Sequence, residues 1–188
     1  MGSVRSRRAP RPLDDRTLRE LALAYVGRFA TTRSKLQQYL RRKVRERGWS
    51  GQTEPEIAAI AEAFADQGYI DDSSFALAKA QSLTARGYGP RRVVDSLRRA
   101  GVAGDDGSAA IEHSEDQAVA AALRFAERRR FGPFATVPTK DLRQREKALG
   151  AMIRAGHSFA LARAILDWPV EAPLDLGEIA DRARRSAA

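Results

Sequence analysis

Asp71 and Asp72 stand side by side in the stretch GYIDDSSFALAKAQSLTARGYGPRRVVDSLRRAGV, residues 68–102. Adjacent carboxylates are what an acid/base pair or a metal site is built from. Further along, Gly87-Tyr88-Gly89-Pro90 opens a helical pattern, and backbone N–H groups at a helix start can hold a phosphate. Each feature has a plainer use. Asp71 suits an N-cap, and Asp72 suits the first turn, where the helix dipole favours a carboxylate. Gly89-Pro90 suits a turn, because proline at the first helical position loses no needed hydrogen bond. The plainer uses explain the residues without a ligand.

The rest of the chain offers no other chemistry. It contains no GxxxxGK[ST], no HExxH and no strand-borne GxGxxG. It has no cysteine, which excludes disulfides, thiolate zinc sites and a cysteine nucleophile. Its 2 histidines, His113 and His157, fall at expected helix junctions without a second ligand at helical spacing. We expect no catalytic, cofactor or metal site, and read the chain as a binding protein and not an enzyme.

Basic residues are the stronger signal. Arg41, Arg42, Lys43, Arg45 and Arg47 crowd one expected helix, and Arg91, Arg92, Arg98 and Arg99 another, with Arg86 just before the Gly-Pro turn. Arg128, Arg129 and Arg130 end a third, where positive charge suits the dipole. Two readings stay open: solvated faces, or contacts for phosphates or acidic side chains. Net charge is +9, unevenly spread. Residues 1–50 hold 14 of the 33 Lys and Arg but 4 of the 24 Asp and Glu, leaving 19 against 20 for the remainder. That local field would attract nucleic acid or an acidic protein surface. No apolar run approaches the roughly 20 residues of a membrane helix, and the N-terminus lacks a signal-peptide core. A cytoplasmic monomer without a membrane partner is expected.

The elements that must position these residues are helical. Residues 1–13 read as a disordered basic tail. The first unit, 14–69, has Leu18, Leu21, Ala22, Tyr25 and Val26 on one stripe, with Asp14 as cap and Leu13 and Leu18 as a staple. Thr32 caps its second helix, which carries Leu36, Tyr39, Leu40 and Val44 inward and ends at Gly48. Thr53 and Glu56 form a capping box for its third, which closes at Gly68. The second unit, 70–113, has Ile70 and Phe75 as a staple after Tyr69, then Val93, Val94 and Leu97 inward before Gly101. Residues 104–113 are a weak candidate for its third helix. A third unit, 114–168, opens with Ser114 and Gln117 as a capping box. Its core is expected from Leu149, Met152, Ile153, Phe159, Ala162, Ile165 and Leu166. Residues 131–138 read as a loop or extension, and residues 169–188 as a C-terminal extension with a short helix. The middle helices end at Gly48, Gly101 and Gly156, 53 and 55 residues apart. A period near 50 residues argues for an all-α tandem array of three three-helix repeats, elongated in shape.

The central stretch resembles the core signature of the RecX family, regulators of the RecA recombinase. The match includes Gly68, Tyr69, Asp71, Phe75, Ala76, Arg86, Gly87, Gly89, Pro90, Leu97 and Gly101. The flanks ALAYVGRFATTRSKLQQYLRRKVRERGW and REKALGAMIRAGHSFALARAIL resemble the family's first and last helix pairs, so the likeness covers about residues 16–167. It implies three helical repeats in a curved array that lodges in the groove of RecA filaments on single-stranded DNA. It further implies inhibition: blocked filament growth or promoted disassembly, with lower ATP hydrolysis, strand exchange and co-protease activity. The expected partners are that filament and, weakly and without sequence preference, single-stranded DNA. The first middle helix departs from the pattern by about one extra turn. A helix-turn-helix transcriptional regulator is the alternative, because three-helix units with a basic helix resemble such domains.

Overall fold

A computed structural model describes residues 11–136, 141–170 and 172–186. These residues form helices joined by short turns, and the one β-bridge among them pairs Leu13 with Trp49. The chain divides into two compact units, Met1–Asp72 and Ser73–Ala188.

The first unit holds α1 (Asp15–Val26), α2 (Arg33–Arg47) and α3 (Ile57–Asp66). Asp14 caps α1 in a reciprocal box with Thr17, and those hydrogen bonds hold the Asp14 carboxyl below its ordinary pKa. Thr32 caps α2 through the Lys35 N–H, and Gly48 ends it at φ +83°. Leu13, Leu18, Ala22, Leu36, Leu40, Ile60 and Phe64 fill the core. Leu13, placed in the tail by the sequence, is instead fully buried and exchanges backbone bonds with Gly48 and Ser50, while Arg11 and Pro12 are exposed. The rest of the expected basic tail, 1–10, lies outside the described residues. The Thr53–Glu56 box does not form. Pro55 disfavours helical backbone in the residue before it. Helix α3 starts only at Ile57, Glu56 makes no side-chain cap, and the Thr53 carbonyl accepts the Trp49 indole N–H.

The second unit holds α4 (Asp72–Ala85, apart from its first residue), α5 (Pro90–Ala100), α6 (Ser108–Asp116), α7 (Ala118–Arg129), α8 (Leu142–Arg154), α9 (Phe159–Leu166) and α10 (Leu176–Arg185). One hydrophobic cluster joins Ala76, Ala80 and Leu83 of α4 to Val93 and Leu97 of α5 and Ala110 of α6. A second gathers α7, α8 and α9 with Trp168 and Ile179, so α10 is part of the core. Helix α6 occupies much of the weak-candidate segment and runs past it to Asp116. That removes the Ser114–Gln117 box: Ser114 is buried within α6 and its hydroxyl donates to the Ile111 carbonyl. A 3-10 turn covers Gly132–Phe134, while 137–140 lie outside the described residues. Ile153 and Phe159, expected inside, are exposed, and Leu149 and Leu166 are half-buried.

Two turns lock together in this unit. The Gly89 N–H donates to the Ala155 carbonyl at 2.9 Å and the Arg91 N–H to that of Gly156 at 3.2 Å. His157, fully buried, places Nε2 3.1 Å from the Gly87 carbonyl. A Cβ on Gly89 would meet the Gly156 carbonyl carbon at 2.5 Å. Only glycine permits this approach.

Candidate contact surfaces on the basic helices

In the first unit, burial of Leu36 and Leu40 fixes which face of α2 looks outward. Arg41, Arg42 and Arg45 are exposed on it and Lys43 is half-buried. Tyr39 stacks on Tyr25 of α1, ring centroids 4.2 Å apart and planes 17° from parallel. The Arg42 guanidinium and the Lys43 ammonium lie 5.7 and 5.8 Å from the Tyr39 centroid. Glu46 takes Lys43 at 2.6 Å and Arg42 at 3.6 Å. The Lys43 hydrogen bond holds the Glu46 carboxyl below its ordinary pKa. Among the described residues, no carboxylate lies within ion-pair distance of Arg41 or Arg45.

In the second unit, Val93, Leu97 and Ala100 turn inward and leave Arg91, Arg92, Arg98 and Arg99 outside the core, with Arg91, Arg98 and Arg99 exposed and Arg92 exposed too. Arg86 and Arg92 lie 5.5 and 5.8 Å from the Tyr88 ring centroid. Asp95, spaced to reach Arg91, instead pairs with Arg98 at 3.6 Å. The Arg128–Arg129–Arg130 run divides into three roles. Arg128 donates to the Arg86 carbonyl at the end of α4, Arg129 lies 5.6 Å from the Phe125 ring centroid, and Arg130 terminates α7 at φ +56°. Arg124, not singled out in the sequence, donates to the Thr84 carbonyl at 3.2 Å. Its spacing from Arg128 was the available signal, since residues four apart share a helix face.

The chain is 32% identical over 173 residues to the Regulatory protein RecX of Myxococcus xanthus, an alignment covering 87% of this chain and 91% of that one. The chain belongs to the RecX family. The Regulatory protein RecX of Xanthomonas campestris is 34% identical over 157 residues, with 80% and 90% covered. That of Mycobacterium sp. (strain KMS) is 29% identical over 163 residues, with 84% and 86% covered. No family model matches the chain.

Other signature residues of this RecX-family chain take structural positions. Asp71 immediately precedes α4, at the N-cap position. Asp72, expected to serve its own helix dipole, turns instead to α2: it is 7% exposed, accepts the Arg33 N–H at 3.0 Å and pairs with the Arg33 guanidinium at 3.2 Å. The phosphate alternative for Gly87–Pro90 loses its donors, because the Gly89 and Arg91 N–H groups are already bonded. Tyr69 is exposed, its ring 5.5 Å from that of Phe64. His113 lies 3.2 Å from the Thr84 hydroxyl, and burial pushes the His157 pKa down. Among the described residues, no group of three His, Cys, Asp or Glu is placed to hold a metal, and no helix is long and apolar enough to cross a membrane.

Proposed function

We propose that this RecX-family chain regulates a RecA-type recombinase by binding its filament on single-stranded DNA and limiting filament growth or persistence. The observation that carries this reading is the recurrence of an exposed basic face on one helix of each unit, α2 in the first and α5 in the second, in a chain of this family. Each face is oriented by a buried leucine stripe and carries arginines that the protein's own carboxylates do not fully neutralise. Such faces suit an acidic groove or a phosphate backbone. Arg41, Arg42, Lys43, Arg45, Arg86, Arg91, Arg92, Arg98 and Arg99 are the proposed contacts, with Arg128–Arg130 subsidiary because Arg128 is also an internal tether.

The three hydrophobic clusters support a reading as three helical repeats, with α10 added to the last. On this reading the protein acts as a monomer in the cytoplasm and meets single-stranded DNA weakly by itself. Recombinase ATP hydrolysis on single-stranded DNA, measured with and without the protein, tests the function.

A further inference from the structure

Two shallow grooves on the first unit share Tyr25, Tyr39 and Arg42. One, about 480 Å³, continues along α2 past Lys35, Arg41 and Arg45. The other, about 470 Å³, is bordered by Arg28 and Phe29. Phe29 follows the end of α1 and is 57% exposed. Its position is set: its N–H donates to the Tyr25 carbonyl at 3.1 Å, and its ring lies 5.4 Å from that of Tyr25. An open aromatic ring therefore extends a stacked tyrosine pair. Arg28 borders the same groove as Phe29, and Arg41 and Arg45 line the adjoining one; none of the three has a carboxylate in ion-pair range among the described residues.

The two halves of this surface ask for different things. The arginines are suited to anions, whether carboxylates or phosphates. Phe29 is suited to a flat, apolar or π-rich face. An acidic protein groove satisfies the first and leaves the ring in water. A nucleotide strand satisfies both, because bases stack on exposed aromatic rings while phosphates track adjacent cations. We propose that this surface is a single-strand nucleic-acid site, in which a base stacks on Phe29 beside the Tyr25–Tyr39 pair and neighbouring phosphates are held by Arg28, Arg42 and Arg45. It rests on the reading that the protein meets single-stranded DNA, and it requires no recombinase. Stacking is tolerant of sequence, so the site selects unpaired bases and not a base order.

The test uses the full chain, fluorescence anisotropy, and four probes: labelled oligothymidylate, an abasic oligomer of equal length, a duplex, and labelled polyglutamate. Oligothymidylate is expected to bind more tightly than the other three. Phe29→Ala should weaken oligothymidylate binding by about fivefold to a hundredfold and leave the abasic oligomer unaffected. Phe29→Trp should preserve the affinity and add, over the Trp49 and Trp168 emission of the parent, an indole signal that oligothymidylate quenches. Arg45→Gln should weaken both oligomers alike and lower the salt slope by about one. Equal binding of oligothymidylate and the abasic oligomer, unchanged by either Phe29 substitution, overturns the stacking site while leaving DNA contact intact. Binding of polyglutamate with none of either oligomer overturns the DNA reading itself and assigns the cations to an acidic protein.

Discussion

Asp72, the last residue of the first unit, meets Arg33, 39 residues earlier, at the start of α2 in the same unit. The Asp72 carboxylate accepts both the backbone N–H and the guanidinium of Arg33, and Glu62 takes the same guanidinium at 3.2 Å. One buried carboxylate thus satisfies the Arg33 N–H at a helix start that Thr32 also caps.

Asp72→Ala is expected to destabilise the protein by about 2–3 kcal/mol, the usual cost of removing a hydrogen-bonded charge and stranding its partner. Asp71→Ala, at the N-cap position, should cost about 1 kcal/mol. Urea unfolding of the two variants checks the order. A reversal would mean that Asp71 carries more of the stability than the Asp72–Arg33 contact.

Gly89→Ala should be far more damaging than a usual exposed glycine substitution. The added methyl meets the Gly156 carbonyl carbon and the His157 nitrogen, at 2.5 and 2.7 Å, and both belong to backbone. Overpacking of this kind costs about 1–3 kcal/mol. Thermal unfolding measures it, and a loss under about 0.5 kcal/mol, the range of a neutral surface change, would contradict the turn-to-turn lock.

His157 makes stability depend on pH. Burial lowers its folded pKa below the ordinary value of 6.5, while its Nδ1 has no protein partner among the described residues. The unfolded chain therefore takes up a proton first as pH falls. The contribution is complete above about pH 6.5 and is lost as pH drops from there toward the folded pKa. Asp14 and Glu46, held below their ordinary values, act only in a more acidic range. Unfolding midpoints across pH 7.5 to 5.5 should fall for the parent and stay flatter for His157→Gln. Equal slopes in the two proteins would contradict this assignment.

Local signals in the sequence translated well into structure. Asp14 and Thr32 cap the helices they precede, and Gly48 and Gly101 end theirs, because each effect acts within one turn. The departure in length is also present: α2 has 15 residues and α5 has 11. Features that depend on distant partners were not legible. Asp72 is claimed by Arg33, a Thr53 group by Trp49, and Ser114 by a helix that started earlier. Met152, Ala162 and Ile165 are in the core as expected, yet Ile153 and Phe159 of the same stripes are exposed, and Leu161, Trp168 and, from the C-terminal extension, Ile179 complete the cluster. Periodicity identifies an apolar face but not how much of it is covered. The arginines could be named from sequence. That Arg128 is tied to a carbonyl, and that Phe29 lies open beside a tyrosine pair, required the fold.

The double substitution Arg91→Glu with Arg98→Glu separates contact from fold in the second unit. Both side chains are exposed, so each change should stay within about 0.5 kcal/mol. The change at Arg98 adds a few tenths, roughly, because it sets a second carboxylate against Asp95. Recombinase inhibition should weaken strongly, because like charges would face the partner. Thermal unfolding and inhibition are read on one preparation. A folded double variant that inhibits like the parent would move the contact surface to α2.

Regulation of a RecA-type recombinase is the function proposed for this chain. Its most direct measurement is RecA ATP hydrolysis on single-stranded DNA, with this protein added at less than one copy per recombinase. The rate is predicted to fall, and the protein alone to hydrolyse no ATP. An unchanged rate at equimolar protein, under conditions where filaments form, would contradict it.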